Sequence, residues 1–107
     1  MIGRALVHVP PTAKRGEVIE IKAMVAHVME TGYRIGVTGK PIPRDIITRF
    51  VCTYNGEVVF SAEFFPAIAA NPFISFFTVA TDSGTLAFSW TDQNGTTKVQ
   101  TAPITVA

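Results

Sequence analysis

Apolar and polar residues alternate with a period of two along much of the chain. Between residues 17 and 25, for example, Ile19, Ile21, Ala23 and Val25 alternate with mostly polar neighbours. This is the pattern of a strand that buries one face. No long window has the 3.6-residue period of an amphipathic helix, so the pattern predicts short strands and no helices.

Turn residues separate these strands at the spacing that is typical of a β-sandwich. Asn55-Gly56 and the run from Asp92 to Gly95 are strong hairpin signals, because their residues readily adopt positive φ. The sequence predicts a single domain over residues 1–107, an all-β, immunoglobulin-like or fibronectin-like antiparallel sandwich of seven to eight strands. The predicted strands cover residues 5–9, 17–25, 49–54, 57–65, 73–80, 85–91, 96–101 and 104–106.

One predicted strand, residues 73–80, is apolar on both faces. One face presents Phe73, Phe77 and Val79 around Ser75, and the other presents Ile74, Phe76, Thr78 and Ala80. An antiparallel strand of a sandwich normally turns one face to water, and burying a Phe or Ile stabilises by roughly 1.5–3 kcal/mol. We therefore expect something else to cover its outer face.

We assign the slightly bulkier set, Phe73, Phe77 and Val79, to the core. Ile74 and Phe76 are then expected to meet a partner, together with the uncharged loop that precedes them. The loop residues expected at this surface are Pro66, Ile68, Asn71 and Pro72. The alternative is that the loop itself folds back over the outer face.

Composition agrees with an interaction protein. Charged residues make up only 16% of the chain, below the roughly 25% of an average soluble domain. The net charge of +1 gives no sign of nucleic-acid binding.

Pro66, Asn71 and Pro72 interrupt the uncharged stretch 64–81, so we expect no transmembrane helix and no membrane association. No secretory signal pattern is found at the N-terminus, which by itself favours a cytoplasmic or a processed chain.

The connection from residue 29 to residue 45 is too long for a simple turn. Irregular connections of this length are usually functional. It carries three basic residues, Arg34, Lys40 and Arg44, against Glu30 and Asp45. These cations are either solvated or bind a carboxylate or oxyanion of a partner.

Few residues suggest catalysis. The chain has no phosphate-binding loop, no paired-cysteine metal motif and no nucleophile elbow. His27, Met29 and Glu30 lie close together in sequence and form an alternative hypothesis, a stand-alone module with a copper, zinc or small-ligand site. Cys52 lies in mid-strand, where we expect a buried structural thiol with a raised pKa.

Several strings resemble the SoxZ family of sulfur-oxidation proteins. They are HxMETGYR at 27–34, GKxIPRDII at 39–47, FxCxYNG at 50–56, PAIAANPF at 66–73, SGTL at 83–86 and WxDxNG at 90–95. They occur in order, and the resemblance runs from about Val7 to Val106. Each string is weak alone, but the set is specific.

The resemblance implies a non-catalytic subunit without a cofactor, which pairs with a SoxY-like sulfur carrier in periplasmic thiosulfate oxidation. It implies transient contacts with other sulfur-oxidation enzymes and export in the folded state with a partner that carries the signal. In the family, the carrier cysteine belongs to a Gly-rich C-terminal segment of SoxY, so the carrier role does not transfer to Cys52. Self-association of the isolated chain through its apolar strand is left open.

Overall fold

The computed structural model describes residues 2–65, 68 and 70–107, and in this part of the chain all regular secondary structure is β. Consequently, no helix among the described residues is long and apolar enough to cross a bilayer. Eight strands follow one another: β1 Ala5–His8, β2 Thr12–Ala13, β3 Val18–Val25, β4 Ile47–Tyr54, β5 Glu57–Glu63, β6 Phe73–Val79, β7 Gly84–Asp92 and β8 Thr97–Val106.

The strands form two sheets, as the turn spacing predicts. One sheet has the order β1-β3-β6 and the other β2-β8-β7-β4-β5. All pairs are antiparallel except β2 with β8. The predicted all-β sandwich is confirmed.

Two strand predictions need correction at the C-terminal end of the fold. Residues 96–101 and 104–106 belong to one strand, β8, although Pro103 lies within it. Asp92 N–H donates to Thr96 O, and hydrogen-bonded and non-hydrogen-bonded residues alternate along the β7–β8 pair. The Pro103 nitrogen therefore points away from β7, and the proline costs no hydrogen bond between these two strands. The two-residue strand β2 was not predicted, because it is too short to show a period.

Aromatic residues from both sheets pack against one another in and around the core. The Phe60 and Phe76 rings stack with centroids 4.5 Å apart, and the Phe50 ring lies 5.3 Å from that of Trp90. Phe60 belongs to the five-stranded sheet and Phe76 to the three-stranded sheet, so this stack joins the two layers.

The prediction that Ile74 and Phe76 point outward is wrong. Phe76 is only 6% exposed, whereas Phe73 is 60% and Phe77 66% exposed, and Ile74 packs against the core. The cause is the register with β3, which places Phe76 beside Ile21 and Ile74 beside Ala23. The expectation of an apolar strand with one uncovered face is confirmed, but the two faces are exchanged.

The long connection is an ordered projection, which we call the arm (residues 28–45). Two isolated bridges, Glu30 with Asp45 and Ile35 with Pro41, hold its two sides together, and Gly36 N–H donates to Lys40 O at its tip. The molecule measures 58 × 20 × 19 Å. Its radius of gyration is 16.1 Å, against about 13 Å for a compact domain of this length.

Candidate partner-binding surface

The outward side chains of the three-stranded sheet form an exposed apolar surface, which we call the outer patch: Leu6, Val18, Phe73, Phe77 and Val79. The strand register explains its shape. Leu6 lies opposite Met24, which lies opposite Phe73, so an apolar row crosses all three strands. Val18 lies opposite Val79 at the other end of the sheet.

A short polar strip separates the two ends of the outer patch. Glu20 and Lys22 lie between them on β3. The Lys22 ammonium is 3.7 Å from a Glu20 carboxylate oxygen, and the other oxygen accepts a hydrogen bond of 2.9 Å from Ser75 Oγ. These opposite charges offset each other, so the outer face is close to neutral and suits an apolar partner surface.

A shallow depression of about 240 Å³ lies within the apolar row. Leu6, Met24 and Phe73 line it, together with Lys22 and His8. The outer patch therefore offers both projecting aromatic rings and a recess for a side chain of a partner.

The loop before β6 is fastened to the sandwich by two of the predicted site residues. Asn71 has φ of +52°, its N–H donates to His27 O at 2.6 Å, and its Oδ1 accepts from His27 N–H at 2.9 Å. Pro72 is buried, and its carbonyl accepts from Val25 N–H. Ile68 is exposed, while Pro66 lies outside the described residues.

His27 is buried at the base of the arm. Its Nδ1 accepts the Met29 N–H at 2.9 Å, so the neutral ring carries its proton on Nε2, which lies 3.4 Å from Asp45 Oδ1. Burial lowers the pKa of His27, and the nearby Asp45 carboxylate opposes this shift only in part. The imidazole thus acts as a structural hydrogen-bonding group.

The other two residues of the metal hypothesis have different partners. Met29 Sδ accepts the Ile47 N–H at 3.3 Å. The Glu30 carboxylate binds the Arg34 guanidinium at 2.6 Å, and this hydrogen bond lowers the pKa of Glu30. Within the described ranges no group of three or more His, Cys, Asp or Glu is arranged to hold a metal ion. The donor atoms proposed for a metal are directed at protein groups instead.

The three basic residues of the arm lie in different surroundings and do not form one cluster around a common partner. Arg34 pairs with Glu30, which raises the pKa of Arg34. Arg44 Nε donates to Gln93 Oε1 at 3.0 Å, and Gln93 returns a hydrogen bond to the Arg44 carbonyl. Lys40 is exposed at the tip. Arg34 and Arg44 therefore stabilise the arm, and both guanidinium groups remain partly accessible.

The arm also exposes apolar side chains that the sequence analysis missed. Tyr33 is 83% exposed, and Ile35 and Val37 are exposed as well. The signal was present, because the three residues alternate with Arg34 and Gly36 in the manner of a strand. The glycines and prolines of the segment are typical of a loop and obscure this alternation.

Cys52 lies in the core, as predicted. Its side chain is fully buried, and burial raises the pKa of the thiol to about 12. At neutral pH almost no thiolate forms, and the thiolate is the reactive species. Cys52 is therefore a packing residue.

Comparison with known families adds a second line of evidence. The profile of the family described as sulphur oxidation protein SoxZ matches residues 7–103. No curated protein matches the sequence.

Solved structures with the same fold include superoxide reductases and a sulfur carrier protein. A superoxide reductase (neelaredoxin) from Ignicoccus hospitalis is 14% identical with a TM-score of 0.70, and the alignment covers 99% of this chain and 82% of the other. The sulfur carrier protein SoxY from Chlorobium limicola f thiosulfatophilum is 12% identical with a TM-score of 0.67, with coverage of 96% and 78%. A putative superoxide reductase from Thermotoga maritima is 18% identical with a TM-score of 0.67, with coverage of 96% and 85%. At these identities the likeness concerns the fold alone.

Proposed function

Because the chain belongs to the SoxZ family of sulfur-oxidation proteins, we propose that it is the non-catalytic partner subunit of a SoxY-like sulfur carrier. Family membership makes it a component of the Sox system. In the proposed complex it stabilises the carrier subunit and helps to present the sulfur-loaded cysteine to the enzymes of the pathway. The complex works in the periplasm, where the chain arrives together with its partner.

The observation that carries this proposal is the outer patch. Phe73 and Phe77 project from a neutral sheet face, and full burial of each side chain would stabilise a complex by roughly 1.5–3 kcal/mol. Aromatic side chains near the centre of an interface commonly supply most of the binding free energy. A partner with a complementary apolar face would bury both rings at once.

The arm supplies a second contact region in the proposed complex. Tyr33, Ile35 and Val37 are exposed, and Arg34, Lys40 and Arg44 add positive charge around them. A hydrophobic centre with a charged rim is the usual arrangement of a protein interface. The guanidinium groups also suit the oxyanion of a sulfur intermediate carried by the partner.

The test is an affinity measurement between the purified chain and a SoxY-like subunit. Phe77→Asp and Phe73→Asp each place a charge in the outer patch, and we expect the dissociation constant to rise by roughly 30-fold or more, the equivalent of about 2 kcal/mol. Because both side chains are exposed, the variants should remain folded.

Val99→Asp is the matched control. Val99 is exposed at a similar level, but it lies on β8 of the opposite sheet, so this variant should bind like the unmodified chain. Unchanged affinity in both Phe variants would remove the outer patch from the interface. Failure of the unmodified chain to bind any SoxY-like subunit would refute the proposed function itself.

A further inference from the structure

We infer that the free edge of β6 is a self-association site, at which a second copy of this chain adds its own β6 in antiparallel orientation. The inference does not depend on the SoxY-like partner. It concerns the backbone edge of the three-stranded sheet, whereas the proposed function concerns the side chains of its outer face.

The hydrogen-bond pattern shows which backbone groups are available. Ala80 N–H donates to Glu17 O at one end of β6, and Pro72 O accepts from Val25 N–H at the other. Bonding to β3 alternates along an antiparallel pair, so the even-numbered residues of β6 bond to β3. The N–H and C=O groups of the odd-numbered residues, Phe73 to Val79, point to the free edge, where no described strand pairs with them.

β6 also lacks the features that protect sheet edges from pairing. Natural edges are usually guarded by charged residues, prolines or bulges. The edge strand β5 has Glu57 and Glu63 at its ends and a bulge in its pairing with β4, and β1 is followed by Pro10 and Pro11. β6 contains no charge, no proline and no bulge in its pairing with β3.

The sequence of β6 is complementary to itself in one register. If Phe76 lies on the two-fold axis, all seven residues pair, and the outward side chains meet as Phe73 with Val79 and Ser75 with Phe77. No like charges meet, and the pairing forms about eight backbone hydrogen bonds. The result is a continuous six-stranded sheet, and the two Phe76 rings lie side by side beneath it.

Proline substitution tests the edge directly. The Ser75 nitrogen points to the free edge, so Ser75→Pro removes a donor there and leaves the backbone hydrogen bonds to β3 intact. Of the contacts with β3, only the exposed side-chain bond from Ser75 Oγ to Glu20 is lost. We expect the isolated chain to form a dimer in analytical ultracentrifugation. Ser75→Pro should raise the dimer dissociation constant roughly 10- to 100-fold, because two hydrogen bonds of the symmetric interface are lost.

Ser61→Pro is a closely matched control. Phe64 N–H donates to Thr48 O, so by the same alternation the Ser61 nitrogen faces the free edge of β5. This variant should dimerise like the unmodified chain. A monomeric unmodified chain at millimolar concentration, or equal effects of the two prolines, would overturn the inference. So would a monomeric chain whose binding to a SoxY-like subunit is lost in Ser75→Pro, because the edge would then belong to the partner.

Disulfide trapping tests the register. A mixture of Ser75→Cys and Phe77→Cys proteins should cross-link under mild oxidation, because hydrogen-bonded antiparallel pairs have Cα atoms about 5.5 Å apart, within disulfide range. Each variant alone should cross-link poorly. Because Cys52 is buried, we expect it to form no disulfide that would complicate the result. Efficient cross-linking of Ser75→Cys with itself would overturn the register centred on Phe76.

Discussion

Asn71 shows how a single residue can set the course of a loop. It combines a left-handed backbone conformation, φ of +52°, with two hydrogen bonds to the backbone of His27. Asparagine adopts this conformation more readily than most residues, and its side chain replaces a missing backbone partner. Asn71 therefore sets the direction in which the chain enters β6.

We predict that Asn71→Ala destabilises the fold by about 1–3 kcal/mol, through lost hydrogen bonding and a strained backbone. Asn71→Gly is the matched variant, because glycine accepts positive φ but cannot supply the side-chain bond. It should fall between Ala and the unmodified chain in the free energy of unfolding, measured with urea. Equal stability of all three proteins would contradict this role.

The sequence could predict the buried face of some strands but not of others. The alternation in β3 identifies its buried face without ambiguity, because one set is apolar and the other mostly polar. In β6 both sets are apolar, and side-chain volume pointed to the wrong one. The face is decided by the register with β3 and by the stack of Phe76 on Phe60, which are contacts between residues distant in sequence.

At the scale of elements, the same distinction between local sequence and contacts distant in sequence explains which strands were predicted. Strands with a clear period and hairpins with Asn-Gly turns depend on local sequence, so six of the eight were predicted close to their observed bounds. β2 exists only because Thr12 and Ala13 lie beside Thr105 and Val106. The two sides of the arm likewise meet through pairs that lie up to 15 positions apart, such as Glu30 and Asp45.

The arm yields a prediction of its own. The double variant Tyr33→Ser/Ile35→Ser should keep the melting temperature of the unmodified chain, because both side chains are exposed. Its affinity for a SoxY-like subunit should fall about tenfold, the equivalent of about 1.4 kcal/mol, measured by calorimetric titration.

The matched control for the arm is Val58→Ser/Val99→Ser, which removes two exposed apolar side chains from the five-stranded sheet. This control should retain full affinity. Equal affinity of the arm variant and the control would leave the outer patch as the whole interface.

At the scale of the whole molecule, the buried His27 couples global stability to pH. Burial lowers the pKa of His27 in the folded state below its ordinary value of 6.5, so the unfolded chain binds more protons between these two values. Stability from the neutral ring is therefore fully present above about pH 6.5 and is lost as pH falls toward the folded-state pKa.

We predict a decrease in the free energy of unfolding between pH 7.5 and pH 5 that is specific to His27. His27→Asn keeps an acceptor near the position of Nδ1 but cannot titrate in this range. Its stability should change less over the same interval, measured by urea unfolding at each pH. An identical pH dependence of both proteins would show that His27 is not the responsible group.

The packing of Trp90 has an optical consequence. It is the only tryptophan of the chain, and it is buried among Phe50 and Phe88, on the opposite side of the core from any ligand that docks on β6. An indole in such surroundings emits at short wavelength, and its emission shifts to the red when water reaches it. Native fluorescence should therefore stay constant while the chain binds other proteins and change only when the two sheets separate, so one spectrum distinguishes a variant that has lost its interface from one that has lost its fold.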